Sequence, residues 1–537
     1  MLVHELIARE VADTGTTVMF GLLGDANLFM ANSFVDQQNG RFVAAAHESS
    51  AVMMAFGYAC RTSGLGVATV TQGPGLTNAG TALLEAVRSH VPVLLITGDS
   101  APSNTLNQQS LDQEQFVRAT GAGYVVVETP EAVVGAVRTA AGKALAESRP
   151  YVLNCPTEFH WVEVGEPSPP TDGPPIVPAE ASDDELEEAL GVLAMARRPL
   201  VLVGKGATKQ PQRDAAARLA ERLGAPIVTT LRARHLFSAA EGSVGVCGTV
   251  STEPGIRAIS ESDCIITLGA SLNTWTSARN SLFEGKRIIQ VDVDRARFRP
   301  QVPVTATIEG DAATVADQIV EMLDAAELPA SGFRSRMTEG VTDADLVAVT
   351  PLGDKLTFAG ALSTLNQNLP HPRTIVTDGG RFQGESFKYL WSTDHFREVQ
   401  TTTFGAVGMG MGAAIGAALA APDEPTILVT GDGGFMMNGL AELHSAVRAD
   451  IPLIVLICND SSYGAEYDQF VSKGLPPDLS LFDWPDFAEV APTLGADSVT
   501  VTTTADIEDA IRAIKSPARP VVIDIRVAPQ DIPEVPH

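Results

Sequence analysis

An aspartate set between two glycines, Gly431-Asp432-Gly433, is followed after 25 intervening residues by Asn459-Asp460. That pattern can hold a hard cation beside a phosphate. Mg²⁺ takes octahedral oxygen ligands and shares them with substrate or cofactor phosphates. Asp432 offers one carboxylate, Asn459 or Asp460 another oxygen, and a loop carbonyl at Ser461 or Ser462 a third. Gly433 and Gly434 leave their N–H groups open to phosphate oxygens at the start of a following helix. A capping aspartate in a plain strand–turn–helix explains Gly-Asp-Gly alone; the second polar cluster favours the metal. A further acid, Glu48 of His47-Glu48, stands where the apolar segment 42–46 passes into an apolar helix, 51–58. Such an acid is costly unless paired, although a first-turn glutamate can simply answer the helix dipole.

The elements that position these groups follow from apolar runs. Thr426 to Thr430 and Leu453 to Ile457 read as buried strands, so both polar clusters fall at carboxyl ends, where open α/β sheets bind ligands. The segment Ala86-Val87-Arg88-Ser89-His90-Val91-Pro92 runs into Val93 to Asp99, and Ala446-Val447-Arg448-Ala449-Asp450-Ile451-Pro452 runs into Leu453 to Asp460. Each is preceded by a strand entering a glycine turn, Gly73-Pro74-Gly75 in one and Gly431-Asp432-Gly433 in the other. This repetition predicts two similar α/β domains about a pseudo-two-fold. Between them, strands at 199–204, 263–269 and 287–294 predict a Rossmann-like unit. There Gly204-Lys205-Gly206 lacks the third glycine of a dinucleotide fingerprint. The Pro-rich stretch 166–175 reads as a linker, Asp183-Asp184-Glu185 as a helix start, and 328–352 as an irregular boundary. The expected fold is α/β in three domains, 1–165, 185–330 and 355–537, with parallel sheets.

Composition narrows the partners. A chain of 537 residues exceeds one core, and 45% apolar with 19% charged residues is ordinary for a soluble globular protein. The net charge of −28 excludes nucleic acid and anionic membrane as expected partners. The five cysteines form no C-x-x-C pair, so disulfide frameworks and thiolate zinc sites are not expected, and Cys458 reads as a small core residue. His90 and His235 read as core or surface residues rather than catalysts. No apolar run reaches membrane-spanning length, and Met1 to Glu5 shows no basic-then-apolar leader, so a cytoplasmic enzyme is expected.

Residues 1–160 and 355–537 resemble the acetolactate synthase, benzoylformate decarboxylase and pyruvate decarboxylase superfamily of thiamine diphosphate (ThDP) enzymes, and the middle unit fits its central domain. His47-Glu48 with Gly73-Pro74-Gly75-Leu76-Thr77-Asn78 is similar to acetolactate synthases, Gly24-Asp25-Ala26-Asn27-Leu28 to pyruvate decarboxylases, and Tyr463-Gly464-Ala465 to benzoylformate decarboxylase. The resemblance implies a ThDP- and Mg²⁺-dependent decarboxylase or carboligase acting on a 2-oxo acid, with an aldehyde or second 2-oxo acid as acceptor. It makes residues 1–165 the pyrimidine-binding domain and 355–537 the diphosphate-binding domain.

The resemblance also implies residue roles. Glu48 would bond the pyrimidine, the Gly405 carbonyl would hold its amino group, and Val407 would prop the bent cofactor where family members carry larger Met, Leu or Ile. Gly380, Arg381, Gly433, Gly434, Tyr463 and Gly464 would line the diphosphate side. Asp432, Asp460 and Ser462 would ligate the metal, with Asn459 as the alternative register; the family has asparagine where Asp460 stands. Arg381 is unusual at its position, and would either bind phosphate, compensate Asp460, or face outward. Asp25, His47, Gln72 and Gln113 would line the substrate side. Glu48 and the Asp432 site would come from different chains, so a homodimer is the minimum and a homotetramer is common. The middle unit's Leu268-Gly269-Ala270-Ser271-Leu272-Asn273 lacks the G-x-R-F-D-D run of flavin-containing acetolactate synthases, which makes FAD doubtful. Glu48 argues against a catalytically silent regulatory subunit, which has no need of that acid.

Overall fold

Short β-branched runs bounded by glycine and proline fold into three parallel sheets of six strands each. The computed structural model describes residues 1–100, 107–165, 180–298 and 302–533; the Pro-rich stretch expected as a linker lies outside them. In the first sheet the strands are β1 (Val18–Gly21), β2 (Arg41–Ala44), β3 (Gly66–Val70), β4 (Val93–Asp99), β5 (Gly123–Val126) and β6 (Tyr151–Pro156), in spatial order β2-β1-β3-β4-β6-β5. In the second they are β7 (Pro199–Val203), β8 (Ile227–Thr230), β9 (Ser243–Cys247), β10 (Cys264–Leu268), β11 (Arg287–Asp292) and β12 (Ala306–Glu309). The third comprises β13 (Thr374–Thr377), β14 (Glu398–Gln400), β15 (Thr426–Gly431), β16 (Leu453–Asn459), β17 (Asp497–Val501) and β18 (Val521–Arg526), ordered β14-β13-β15-β16-β18-β17. Substituting equivalent strands turns the first order into the third, so the repetition read from the sequence is a repetition of topology.

The two related sheets belong to one compact unit, residues 1–174, 351–386 and 396–535. Helix α1 (Glu48–Thr62) and helix α2 (Gly80–Ser89) flank the first sheet; α3 (Gly410–Ala420), α4 (Leu440–Arg448) and α5 (Gly464–Ser472) flank the third. At the pseudo-axis α1 meets α3 almost backbone to backbone. A Cβ on Gly57 would lie 2.0 Å from the Ala413 carbonyl oxygen, and one on Gly416 would lie 1.8 Å from that of Met54. Each glycine thus meets the residue three positions before its counterpart, the reciprocity a two-fold requires. Met53, Phe56, Met411 and Ile415 close one core around this crossing.

The other unit, residues 175–350 and 387–395 with the chain end, holds the middle sheet, ordered β12-β11-β10-β7-β8-β9. This is the doubly wound order of Rossmann-like sheets. At its switch point the loops after β7 and β10 touch: the Gly206 N–H donates to the Gly269 carbonyl at 3.0 Å, and a Cβ on Gly204 would lie 2.3 Å from that oxygen. The expected helix start at Asp183 appears as Asp183–Ala194, closed by a Ser182–Glu185 capping box. The boundary expected to be irregular contains a helix, Phe333–Thr338, because Phe333 and Met337, one turn apart, are both buried.

Candidate active site

The Asp432 turn begins where β15 ends. Asp432–Gly434 opens a helical run that passes through a π-helical turn, Phe435–Gly439, into α4. A Cβ on Gly434 would lie 2.9 Å from Asp378 Oδ2 and 3.2 Å from Val407 Cγ1; one on Gly433 would lie 2.7 Å from the Tyr463 ring. A side chain at either position would therefore have to displace Tyr463 or Asp378, and the backbone opens the helical run with N–H groups at the positive end of the dipole.

One strand over, Asn459 and Asp460 diverge. Asn459, the last residue of β16, donates its amide to Asp524 Oδ1 at 2.9 Å, across to β18. Asp460 lies past the strand end and turns towards Asp432. The Ser462 N–H reaches both carboxylates, at 3.2 Å to Asp432 Oδ2 and 3.0 Å to Asp460 Oδ1, and the Ser462 hydroxyl donates to Asp460 Oδ1 at 2.7 Å. Burial, and then the charge of Asp460, push the Asp432 carboxyl up to about 7. Two buried carboxylates converging on one backbone N–H form a donor set that a divalent cation would relieve. Among the described residues no group of three or more His, Cys, Asp or Glu that could hold a metal converges, and the site seen here offers two carboxylates. That fits Mg²⁺ completing its octahedron from a diphosphate, water or a loop carbonyl. The Cys458 thiol beside them is buried and raised well above its ordinary range, so it is inert.

Arg381 faces inward. Its guanidinium donates to Asp460 Oδ2 at 2.6 Å, to the Pro529 carbonyl at 2.7 Å, and to Asp468 of α5. Its side chain is only 3% exposed. Gly464 makes room for it, since a Cβ there would lie 2.6 Å from Arg381 Nε. Tyr463, just before α5, packs against Phe482 with ring centroids 4.3 Å apart.

The loop bearing Gly405 and Val407 rests on Asp378, the residue after β13. Asp378 accepts the N–H groups of Gly379 at 2.8 Å, Gly408 at 3.2 Å and Met409 at 3.1 Å, and the Thr430 hydroxyl at 3.1 Å. Burial nonetheless raises its carboxyl. Gly405 has φ +86°, available to glycine. Val407, Phe404 and Met437 are each exposed apolar side chains.

On the other sheet, Glu48 is the first residue of α1 and is buried; Asn78 donates to its Oε2 at 3.0 Å. His47 caps α1: its Nδ1 accepts the Ser49 N–H at 3.1 Å, so the neutral ring carries its proton on Nε2. Asp25 is exposed in a turn tied by Asn27, whose Oδ1 accepts the Gly24 N–H at 2.8 Å. Gln72 is buried, with its amide 3.5 Å from the Ser100 hydroxyl and its Oε1 without a partner among the described residues. Gln113 spends its amide on the protein, accepting the Gly73 N–H at 3.0 Å and donating to the Gly98 carbonyl at 2.8 Å, so it braces the glycine turn rather than presenting a free group. Among the described residues, no hydrogen bond joins Glu48 to the Asp432 turn within one chain. His90 terminates α2 in the left-handed region, and His235 is half-buried, its imidazole pushed down to about 3, mainly by desolvation. Three residues of consequence carry no expected role: Asn78, Asp378 and Asp468. Asn78 stands inside the Gly73–Asn78 motif and Asp378 two residues before Gly380; Asp468 gives no signal, being one polar residue on a mixed helix.

Comparison with known proteins places the three domains in one family. Residues 1–116 match the model of the thiamine pyrophosphate enzyme N-terminal TPP binding domain, residues 186–319 the central domain, and residues 378–525 the C-terminal TPP binding domain. The acetolactate synthase large subunit of Haemophilus influenzae is 23% identical over 553 residues, covering 97% of this chain and 94% of that protein. The sulfoacetaldehyde acetyltransferase of Alcaligenes xylosoxydans is 24% identical, covering 95% and 90%. A Pseudomonas aeruginosa protein named "Probable 2-ketoarginine decarboxylase" is 26% identical, covering 90% and 86%.

Proposed function

The chain belongs to the thiamine pyrophosphate enzyme family, and on that premise we propose that it is a ThDP- and Mg²⁺-dependent decarboxylase or carboligase of 2-oxo acids. The relatives named as synthase, acetyltransferase and decarboxylase support a lyase or transferase. The observation that carries the metal reading is the buried Asp432–Asp460 pair joined by the Ser462 N–H.

In this reading Asp432, Asp460 and Ser462 hold Mg²⁺, and Asn459, committed to Asp524, does not. Gly433 and Gly434 present backbone N–H groups to the diphosphate, and Val407 and Gly405 meet the ring system. When bound, the cofactor supplies a carbanion equivalent and an electron sink for carbon dioxide loss. Glu48, buried and oriented by Asn78, would hydrogen-bond the pyrimidine. His47, with its proton on Nε2, stands next to it as a donor for the substrate side, and Asp25 and Gln72 stand on the same side. The exposed Phe404, Val407 and Met437 support completion of the site by a second copy of the chain, so the working unit is at least a homodimer.

The test is a screen of 2-oxo acids, with and without an aldehyde acceptor, for carbon dioxide release. The reading expects release from at least one acid that requires both ThDP and Mg²⁺. Tight cofactor binding without release from any acid would make the chain a silent subunit.

A further inference from the structure

Two buried glutamates outside the site reach across the pseudo-two-fold to the loops that carry it. Glu85, on α2 of the N-terminal sheet, is fully buried. Its Oε1 accepts the Thr403 N–H at 3.0 Å and the Ser89 hydroxyl at 2.7 Å, and its Oε2 accepts the Phe404 N–H at 2.7 Å. The next residues in the chain are Gly405, Ala406 and Val407. Glu442, on α4 of the C-terminal sheet, is equally buried. Its Oε1 accepts the Ala46 N–H at 2.9 Å and the His47 N–H at 3.1 Å. The next residue is Glu48. Arg448 of α4 adds a bond to the Ala44 carbonyl at 2.6 Å, and Arg41 returns one to the Ala449 carbonyl at 2.6 Å.

The arrangement is reciprocal but not a copy. By the repeated motif Glu85 matches Ser445 and Glu442 matches Ala82, so the two acids sit one helical turn apart on the same face. Each binds a pair of successive N–H groups at the loop entering the other domain's functional segment. Each acid supplies acceptors for these N–H groups, and a buried N–H left without its acceptor is costly.

We infer that Glu85 and Glu442 are positioning residues: each fixes, from the opposite domain of its own chain, the loop that presents Val407 or Glu48 to the cofactor. Neither acid touches the functional groups themselves. The inference rests on the proposed function for the word cofactor, but the bracing itself is a property of the apoprotein. Glutamine substitution separates the two sites. Glu442 takes both N–H groups on one oxygen, so Glu442→Gln keeps an acceptor for both. Glu85 uses both oxygens, so in Glu85→Gln one N–H loses its acceptor.

The experiment is backbone hydrogen exchange on the full-length apoprotein, read at residues 44–48 and 401–406. The expected result for Glu85→Gln is exchange at Thr403–Phe404 faster by about tenfold, with Ala46–His47 unaltered. For Glu442→Gln both segments should exchange as in the parent chain, and for Glu442→Ala the 46–47 segment alone should speed up by about tenfold or more. Exchange unaltered in both Glu85→Gln and Glu442→Ala, or speeding up at both loops together in either, would overturn the inference. A second readout, ThDP titration by quenching of tryptophan fluorescence in Mg²⁺, should show weaker binding in Glu85→Gln and parent-like binding in Glu442→Gln. The parent failing to bind ThDP would sink the proposed function while leaving the exchange result to decide the bracing.

Discussion

Replacing Arg381 by glutamine removes the guanidinium that bridges the buried carboxylates of Asp460 and Asp468. The guanidinium is 3% exposed, while the carboxylates of Asp460 and Asp468 are 8% and 11% exposed. Water can therefore do little to replace it, and the discount applied to surface ion pairs does not apply. Removing one partner of a buried pair costs about 3–5 kcal/mol, because the remaining charge stays buried without compensation. Here two carboxylates and the Pro529 carbonyl lose their donor at once. Arg381→Gln should therefore destabilise the apoprotein by at least about 3 kcal/mol, read as the shift of its urea transition at constant slope. Adding Asp468→Asn should recover part of the loss, since it removes one of the two stranded charges. Mg²⁺ should protect Arg381→Gln more than the parent, since the metal then becomes the counter-charge of Asp460. An Arg381→Gln protein as stable as its parent, with the same response to Mg²⁺, would refute the reasoning.

Glu48→Gln should retain ThDP but slow exchange of the thiazolium C2 proton by about 10²–10⁴-fold, the usual share of one positioned acid–base group; proton NMR in deuterated buffer checks this. Gly416→Ala would place a Cβ 1.8 Å from the Met54 carbonyl oxygen and drive α1 from α3, costing about 3 kcal/mol or more in thermal or urea unfolding. His160 is buried and its imidazole is pushed down to about 4, mainly by burial. The unfolded chain therefore binds a proton that the folded chain refuses. Its contribution is complete above about pH 6.5 and is lost as pH falls towards 4, a span worth about 3 kcal/mol. His160→Gln should flatten the pH dependence of unfolding in that window, and an unchanged slope would exclude the role.

Local order was the part of this protein most readable from its residues. Runs such as Leu453 to Ile457 have no competing periodicity, and Pro92 and Pro452 mark where strands begin. Gly73–Asn78 and Gly431–Gly433 announce turns because glycine and proline restrict the backbone independently of context. Side-chain partnerships across the fold were not readable. Glu85 and Glu442 look like the polar faces of amphipathic helices, and only packing against the opposite domain buries them. The choice between Asn459 and Asp460 depends on where β16 stops: one residue earlier, and Asn459 rather than Asp460 would leave the strand. Gln113 has the composition of a substrate ligand, yet the Gly73 turn needs an acceptor for its N–H and takes the amide. The helix at Phe333–Thr338 is hidden in the sequence because only two of its six side chains are apolar enough to show a face.

The central claim is that a cation sits between Asp432 and Asp460 beside a diphosphate. Crystals grown with ThDP and Mn²⁺ in place of Mg²⁺, measured for anomalous scattering, test it most directly. The account predicts one strong peak per chain within bonding distance of an oxygen from each of Asp432 and Asp460, with Asn459 still bonded to Asp524. A peak ligated by Asn459, or a full-occupancy cofactor with no metal at the turn, would contradict it.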